Sequence, residues 1–426
     1  MARLPDTSEP ARPSGAPSPY RWLVLLGLWL IYLTFGMVTA SLAPLVAPIT
    51  RDLGISHGSM GFVFGVWQIA YIVAAVPCGG LHDRIGVTRS LFIGALVVAA
   101  SALLRSLAFD YVSLCLAVVL FGIGGPIIST GSPKLVGSWF KGAERGLAMG
   151  IYVSGSACGT ILALSLTNSV LMPAFGQDWH RVLQVWSMLA FSSGLIWLVI
   201  AAHPLVRQKE AMVAAQPRQS QRAVILQLLR LPAVRLMLMM AAGTFVFNHS
   251  LNNWLPEILR ARGFSAAQAG FWASTPIIVG ILGSLTLPRL ATPSRRHLML
   301  CGMFGAAVAA TLLLQAQSGP LLLAGMIVQG IARSTMFTIM MLTLMEMPGV
   351  GERNTATASG LLFSAAEMGG ASGPILLGLV HDATGGFSTG LALLTVVTSL
   401  MLAGAIHLRR QARLTGPSVV PPLAAQ

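Results

Sequence analysis

The sequence predicts an all-α membrane protein with twelve transmembrane helices in two pseudo-symmetric halves of six. Its composition, the spacing of its long apolar runs and an internal repeat support this prediction. Of the 426 residues, 55% are hydrophobic and only 9% are charged, and the mean hydropathy is +0.75. A soluble domain carries about 25% charged residues, so the composition excludes a soluble globular enzyme and a disordered chain.

Twelve apolar runs are long enough to span a bilayer, which requires about 20 mostly apolar residues. The runs lie at 22–47, 58–81, 89–108, 111–138, 147–173, 182–204, 233–257, 266–288, 297–316, 319–346, 355–379 and 386–408. The preceding segment, 1–20, is rich in Pro, Ser and Ala and has no apolar core. We therefore expect a disordered cytoplasmic tail there rather than a signal peptide.

A polar stretch between the sixth and seventh runs divides the chain. We expect an N-terminal bundle at 21–205, a cytoplasmic linker at 206–232, a C-terminal bundle at 233–408 and a cytoplasmic tail at 409–426. Short sequences recur in equivalent loops: PITRDLGIS at 48–56 matches PEILRARGFS at 256–265, and GAER at 142–145 matches GER at 351–353. Because both matches share an offset of about 208 residues, a duplication is favoured.

The net charge of +14 gives the orientation. If the N-terminus lies inside, twenty-one basic residues fall in inner segments, five in outer segments and one, Arg333, within a span. This is the positive-inside pattern, and it predicts a multi-pass protein of the cell inner membrane with both termini in the cytoplasm. It also argues against nucleic acid as a partner. The four cysteines lack the spacing of a metal or disulfide site, so no metal is predicted.

The loop after the second run, Gly79–Arg89, reads GGLHDRIGVTR. It resembles the G-x-L-x-D-R-x-G-R-K/R signature of the major facilitator superfamily, at the place where that family carries it. Val87 and Thr88 stand in place of the family's basic pair, with Arg89 as the nearest substitute. The resemblance extends over the whole chain and implies the superfamily's fold and its alternating-access transport.

A conformational latch is predicted in the same loop. Asp83 at an inner helix end can pair with Arg84, Arg89 or Arg145 and hold two helices in one conformation of the cycle. In the alternative interpretation, Asp83 and Arg84 are solvated loop charges beside a reverse turn at Gly86.

Arg333 is the sharpest candidate for contact with a substrate. Charges at membrane depth cost about 2.5–3.5 kcal/mol on insertion scales and mark transport pathways. Gln329 lies one helical turn from Arg333 on the same face of span ten. A guanidinium keeps its charge and offers five planar donors, which suits a carboxylate, nitrate or similar planar anion. Alternatively, Arg333 is a structural partner of the other deep charge, Glu367, and both roles hold in turn if a substrate displaces the carboxylate.

Glu367 in span eleven is predicted to couple transport to protons. A carboxyl group that separates from an arginine in an apolar surrounding takes up a proton. The alternative is a permanent ion pair with a purely structural role.

Span seven contains the densest polar cluster. Phe245, Asn248, His249, Asn252 and Asn253 share a helical face about 140° wide, which should face the cavity. His249 would titrate near neutral pH or serve as a neutral hydrogen-bond partner.

The resemblance implies that spans one, four, seven and ten line the cavity, with the substrate near the midplane. Tyr32 and Thr130 join the predicted site from spans one and four, although a threonine also satisfies backbone carbonyls. The predicted substrate-binding residues are Arg333, Gln329, Asn248, His249, Asn252, Tyr32 and Thr130.

The sequence contains no GxSxG, GxxxxGK or HExxH motif, so neither an enzyme nor a cofactor is predicted. Asn253–Gly270 is similar to the seventh-to-eighth span of cyanate and nitroimidazole transporters, and Ser138–Ala148 to a loop of oxalate and nitrate porters. With Arg333, this similarity predicts a secondary transporter, a symporter or exchanger, of a small organic or inorganic anion.

The expected partners are the substrate, a coupling proton and the lipid bilayer, and the expected state is a monomer. The alternatives are efflux of amphipathic drugs or metabolites, and a transporter-like sensor or assembly protein.

Overall fold

The computed structural model describes residues 19–206, 222–292, 294–317, 319–345, 347 and 350–414. Twelve helices in these ranges are long and apolar enough to cross a membrane, as predicted. They are α1 Tyr20–Ala40, α2 His57–Ile85, α3 Val87–Ser106, α4 Tyr111–Trp139, α5 Gly142–Leu166, α6 Trp179–Ala201, α7 Pro232–Arg260, α8 in two segments (Ala266–Ala273 and Thr275–Thr286), α9 Arg296–Leu313, α10 Pro320–Met345, α11 Gly351–Thr384 and α12 Ser388–Leu414.

Several helix ends differ from the sequence prediction. The first span is broken after Ala40 and continues as short helices at Ala43–Leu45 and Val46–Asp52. Helix α12 continues to Leu414, beyond residue 408, where the last bundle was expected to end. Within the predicted linker, Arg222–Arg230 forms a helix of nine residues, which is too short to span a membrane. The predicted tail 1–20 lies almost wholly outside the described residues, as do 207–221 of the linker and 415–426.

The repeated sequences form the same local structure in both halves. Gly54 and Gly263 follow a helix with φ of 61° and 91°, a left-handed conformation that glycine adopts without a Cβ clash. Ser56 and Ser265 then cap α2 and α8 by accepting hydrogen bonds from the backbone N–H groups of Ser59 and Gln268. The duplicated motif is thus a turn followed by a helix cap.

Equivalent glycines also bring equivalent helices together. Gly122 of α4 lies against the carbonyl of Trp67 in α2. Gly330 of α10, 208 positions later, lies so close to α8 that a Cβ there would come 2.6 Å from the Pro276 carbonyl. Small residues allow such backbone contact between membrane helices, and the shared offset supports the two-fold plan of the bundle.

Helices α2 and α11 form the main contact between the halves. We call the end of the bundle where α1 begins and α12 ends the terminal face, and the other end the opposite face. From the opposite face inwards, Gly58 meets Asp382, and a Cβ at Gly61 would lie 2.5 Å from the Pro374 carbonyl. The contacts between α2 and α11 continue inwards to Tyr71 and Phe363, whose ring centroids are 6.1 Å apart. Among the described residues, the halves are therefore closely packed from the opposite face to mid-depth.

Candidate functional site

Arg333 lies near the middle of α10 and is partly buried. Its Nη1 donates a hydrogen bond of 2.6 Å to Oδ1 of Asn252 on α7. Asn252 is on the polar face that the helical period of span seven predicts. Because this is the guanidinium's one hydrogen bond within the described ranges, most of its five donors remain available for an anion.

Glu367 is buried in α11, with 4% of its surface exposed. Within the described part of the chain, no cation lies within ion-pair distance of Glu367, and its Oε2 accepts no hydrogen bond. The alternative interpretation, a structural Arg333–Glu367 ion pair, is therefore wrong for this conformation. Asn252 takes the place next to the guanidinium that the carboxylate was expected to occupy.

His249 of α7 joins the two halves at the same depth. Gln68 of α2 is fully buried, and its Nε2 lies 3.0 Å from His249 Nδ1 and donates to the Gly370 carbonyl at 3.2 Å. If Nε2 also donates to Nδ1, the proton of the neutral imidazole is on the other ring nitrogen. The geometry fits the neutral hydrogen-bond partner among the two roles expected of His249. Glu367 and His249 both adjoin Gly370: Glu367 Oε2 lies 3.5 Å, and His249 Cδ2 3.3 Å, from the position that a Cβ would take there.

Three buried amide oxygens around this layer accept no hydrogen bond from the described protein: Oε1 of Gln329, Oδ1 of Asn248 and Oε1 of Gln68. Gln329 is 1% exposed and lies one turn from Arg333. A buried acceptor without a donor costs about 1–3 kcal/mol. A ligand that brings hydroxyl or other donor groups would remove this cost.

An aromatic layer lies one helical turn closer to the terminal face. Phe245 precedes His249 by four residues, and Phe363 precedes Glu367 by four. Phe337 follows Arg333 by four residues. Their ring centroids are 5.2 Å apart for Phe245 and Phe337, 6.2 Å for Phe245 and Phe363, and 6.0 Å for Phe337 and Phe363. Tyr71 of α2 completes the layer against Phe363. A polar layer and an apolar layer thus follow each other along one axis between the halves.

Tyr32 and Thr130 of the N-terminal half have partners of their own. Tyr32 is buried and packs edge-on against Tyr152, with ring centroids 4.7 Å apart. The Thr130 hydroxyl donates to the Pro126 carbonyl at 2.6 Å and lies 2.9 Å from His82 Nε2. No described contact brings either residue to Arg333, so their place in the substrate site stays a prediction.

The predicted latch is not visible in the described part of the chain. The side chain of Asp83 lies outside the described residues. Arg84, Arg89 and Arg145 are exposed and form no ion pair with a described carboxylate. On the same face, Arg21 instead binds Glu144 through both carboxylate oxygens, at 2.8 and 3.0 Å, and joins α1 to α5.

A second polar contact between the halves lies at the opposite face and was not predicted from the sequence. The carboxylate of Asp382 on α11 accepts hydrogen bonds from the backbone N–H groups of His57 and Gly58, at 3.1 and 2.7 Å. It therefore caps the first turn of α2, a helix of the other half.

A sequence signal for this contact does exist. His381-Asp382-x-x-Gly385 repeats His82-Asp83-x-x-Gly86. Both glycines have positive φ, 73° and 87°, and both donate their N–H to the histidine carbonyl four residues earlier. The two motifs end helices α11 and α2, which pack against each other, at opposite faces of the bundle.

Comparison with known proteins gives the family. The model of the Major Facilitator Superfamily matches residues 28–294 and 250–421. A relative named as a probable galactarate/D-glucarate transporter, GudP of Bacillus subtilis, is 24% identical, over 92% of this chain and 94% of its own. A quinolone resistance transporter of Acinetobacter baumannii is 26% identical, over 83% and 85%.

A solved structure has the same fold. The bacterial homologue of the human lysosomal transporter Spinster, in an inward-facing and occupied conformation, superposes with a TM-score of 0.71 at 17% identity, covering 94% of this chain and 99% of its own. The family model, the twelve helices and the shared fold agree with the resemblance in the loop after α2. The chain belongs to the Major Facilitator Superfamily.

Proposed function

We propose that this protein is a secondary active transporter that moves a small organic anion across the cytoplasmic membrane, with Arg333 as the fixed positive charge of its binding site. The observation that carries this proposal is the state of Arg333: it lies at mid-depth, holds an amide and has no carboxylate partner in the described chain. An unpaired charge in a membrane interior is costly and marks a pathway. An anionic substrate would supply the missing partner, through paired N–H···O bonds.

The unpaired amide oxygens refine the substrate class. Gln329, one helical turn from Arg333, and Asn248 and Gln68 offer buried oxygens without a described donor, which suits a carboxylate that also bears hydroxyl groups. The relative GudP is named for galactarate and D-glucarate, and other relatives are named for hexuronate and D-galactonate. These names support a hydroxylated organic acid as the leading substrate class.

Glu367 is the proposed site of proton coupling. Glu367 is buried without a cation among its described neighbours, and a carboxyl group in such surroundings can exchange a proton when a charge arrives or leaves nearby. Glu367 and His249 both adjoin Gly370 in the layer that holds Arg333. The charge of a bound anion would therefore change the proton affinity of Glu367, and protonation of Glu367 would change the affinity for the anion. Binding of one would thereby alter binding of the other, which is the requirement for symport.

Alternating access requires the contact at the opposite face to open. In this structure the Asp382 cap and the glycine contacts of α2 and α11 close that face. The positive-inside pattern supports a cytoplasmic terminal face, and with that orientation the conformation would be closed to the outside. In the reverse state, the Asp382 carboxylate would leave the first turn of α2.

Efflux of amphipathic compounds is the second candidate function. The aromatic layer of Phe245, Phe337, Phe363 and Tyr71 favours this function, because clustered aromatic rings can pack against the apolar part of an amphipathic compound. The relative named as a quinolone resistance transporter points the same way. A gene deletion separates the two functions: loss of growth on an organic acid supports uptake, and sensitivity to toxic compounds supports efflux.

Transport in proteoliposomes tests the leading proposal. The wild-type protein should accumulate labelled hydroxy acids when the outside is more acidic than the inside, and Arg333→Ala should abolish this uptake. Arg181→Ala is the matched control, because Arg181 is an exposed surface arginine paired with Asp178. If Arg333→Ala transports every tested anion at the wild-type rate, the proposal is wrong.

A further inference from the structure

We infer that His57, His381 and Asp382 form a binding site for a divalent transition-metal ion of the zinc class, at the opposite face between the two halves. His57 comes from the first turn of α2, and the other two residues come from the last turn of α11. His57 and His381 are 324 positions apart in the sequence, so the three residues form no recognisable sequence motif.

The distances suit such an ion. His57 Nδ1 and His381 Nδ1 lie 3.8 and 3.7 Å from the same oxygen, Oδ1 of Asp382, and one ligand atom of each residue lies within 4.8 Å of the others. Bonds of about 2.0–2.2 Å place the ligand atoms of a tetrahedral zinc ion about 3.4 Å apart. These two distances exceed the tetrahedral value by only a few tenths of an ångström, and the ligand atoms of the two histidines, which lie within 4.8 Å of each other, would have to approach by at most about 1.4 Å.

The donor set has the chemistry of a metal site. Two imidazoles with one carboxylate form a known zinc ligand set that leaves a fourth position for water. His381 Nδ1 is buried and has no hydrogen-bond partner in the described chain, so a donor atom is available without breaking a bond. Imidazole nitrogen favours zinc, copper or nickel over magnesium and calcium, which prefer oxygen.

The surroundings hold the ligands in position. Asp382 is fixed by the backbone N–H groups of His57 and Gly58, which act as supporting hydrogen bonds around the ligand. The His57 and His381 rings face each other with centroids 3.9 Å apart, and Phe387 lies 4.4 Å from His381. Asp382 is solvent-exposed, which gives an ion a path from the aqueous phase.

A bound ion would hold this face closed, because its ligands come from both halves. Opening the face separates α2 from α11 and breaks the site, so the ion binds the closed conformation alone. External zinc should therefore inhibit transport. This inhibition rests on the proposed function, whereas binding of the ion does not.

Thermal unfolding of the purified protein, with its purification tag removed, tests the binding. At equal concentration, zinc chloride should raise the melting temperature by about 3 °C or more and magnesium chloride should not, because a ligand that binds only the folded state stabilises it. His57→Gln and His381→Gln should each remove most of the zinc shift. His180→Gln is the matched control, because His180 is on the same face near the carboxylates of Asp178 and Asp52 and should keep the shift.

Two results would overturn the inference: an equal shift with magnesium, or a zinc shift that persists in the double variant His57→Gln/His381→Gln. Where a variant melts too early to be compared, equilibrium dialysis can replace the melting curves. The variant should then bind one zinc ion per chain fewer than the wild-type protein. A zinc shift in a protein that transports no organic anion would leave this site intact and contradict the proposed function alone.

Discussion

Arg105 of the N-terminal half and Arg333 of the C-terminal half are held in different ways. Arg105 at the end of α3 is 2% exposed, donates to the Val38 carbonyl at 2.8 Å and lies 5.1 Å from the Phe121 ring centroid. Among the described residues, Arg333 donates only to a side-chain amide, that of Asn252 on another helix of its own half. The first arginine has a backbone acceptor and an aromatic face that fix it in the fold, whereas the second keeps donors for a partner.

The same contrast extends to the neutral polar groups. In the N-terminal half, Thr130 is occupied by a backbone carbonyl and a histidine. In the C-terminal half, Gln329, Asn248 and Glu367 each keep a buried oxygen without a donor. Gln68 of the N-terminal half also keeps such an oxygen, but both charged groups of the candidate site, Arg333 and Glu367, belong to the C-terminal half.

Replacement of each arginine by methionine gives the largest expected effects. Arg105→Met should lower the free energy of unfolding by about 2 kcal/mol, because a charge-assisted hydrogen bond and a cation–π contact are lost. Arg333→Met should leave stability unchanged or higher and weaken anion binding about 100-fold, because it removes a buried charge that pairs with the substrate. Melting curves and equilibrium binding measure both effects. The comparison between halves breaks if Arg105→Met loses anion binding at unchanged stability.

Replacement of Glu367 by glutamine should uncouple transport from protons. The amide mimics the protonated carboxyl group but cannot release a proton, so uphill uptake driven by an acidic exterior should fall about tenfold or more, while anion exchange continues. Uptake and counterflow in proteoliposomes at external pH 5.5 and 7.5 measure this effect. Glu144→Gln, at the exposed Arg21 pair, is the control. A variant whose uptake keeps its pH dependence would assign coupling to another group.

Removal of the Asp382 cap should shift the balance between conformations. Asp382→Ala deletes a helix cap worth about 1 kcal/mol, so opening of the opposite face should become about fivefold more frequent. The measurement is the maleimide labelling rate of Ala371→Cys, a buried position beside Gly65, in a background without the four native cysteines. An unchanged rate would show that the cap does not hold this face closed.

The smallest expected effect concerns substrate hydroxyl groups. Gln329→Met keeps the volume but removes the buried acceptor, so affinity for a hydroxylated acid should fall about threefold to tenfold, and affinity for its deoxy analogue should not. Gln315→Met is the control, because the Gln315 amide donates hydrogen bonds to the Thr311 carbonyl on α9 and to the Thr395 hydroxyl on α12. Equal losses for both acids would contradict a hydroxyl contact at Gln329.

Much of the fold follows from the sequence, because membrane spans depend on local composition. The twelve helices are confirmed, and the two repeated sequences form the same turn at Gly54 and Gly263. Helix ends are less certain, since the bend after Ala40 and the extension of α12 to Leu414 depend on packing. Helical period also places Asn252 and Asn248 on one face of α7.

The pairing of side chains between helices was harder to predict. Arg333 stands out by charge alone, but its preference for Asn252 over Glu367 depends on the relative rotation of α7, α10 and α11. The Asp382 cap depends on the axial register of α2 against α11, which only the packed glycines determine. These contacts join residues far apart in the chain, so a local pattern such as the repeated His-Asp-x-x-Gly motif can mark Asp382 but does not identify its partner on α2.

A thermal-shift screen of the wild-type protein and Arg333→Met, against organic acids, inorganic anions, amines and neutral sugars, tests the central claim most directly. A ligand specific for the folded state raises its melting temperature. We predict that one or more hydroxylated organic acids stabilise the wild-type protein and fail to stabilise Arg333→Met. Stabilisation by amines or neutral solutes alone, or equal stabilisation of both proteins by the same acid, would contradict Arg333 as the anion-binding residue.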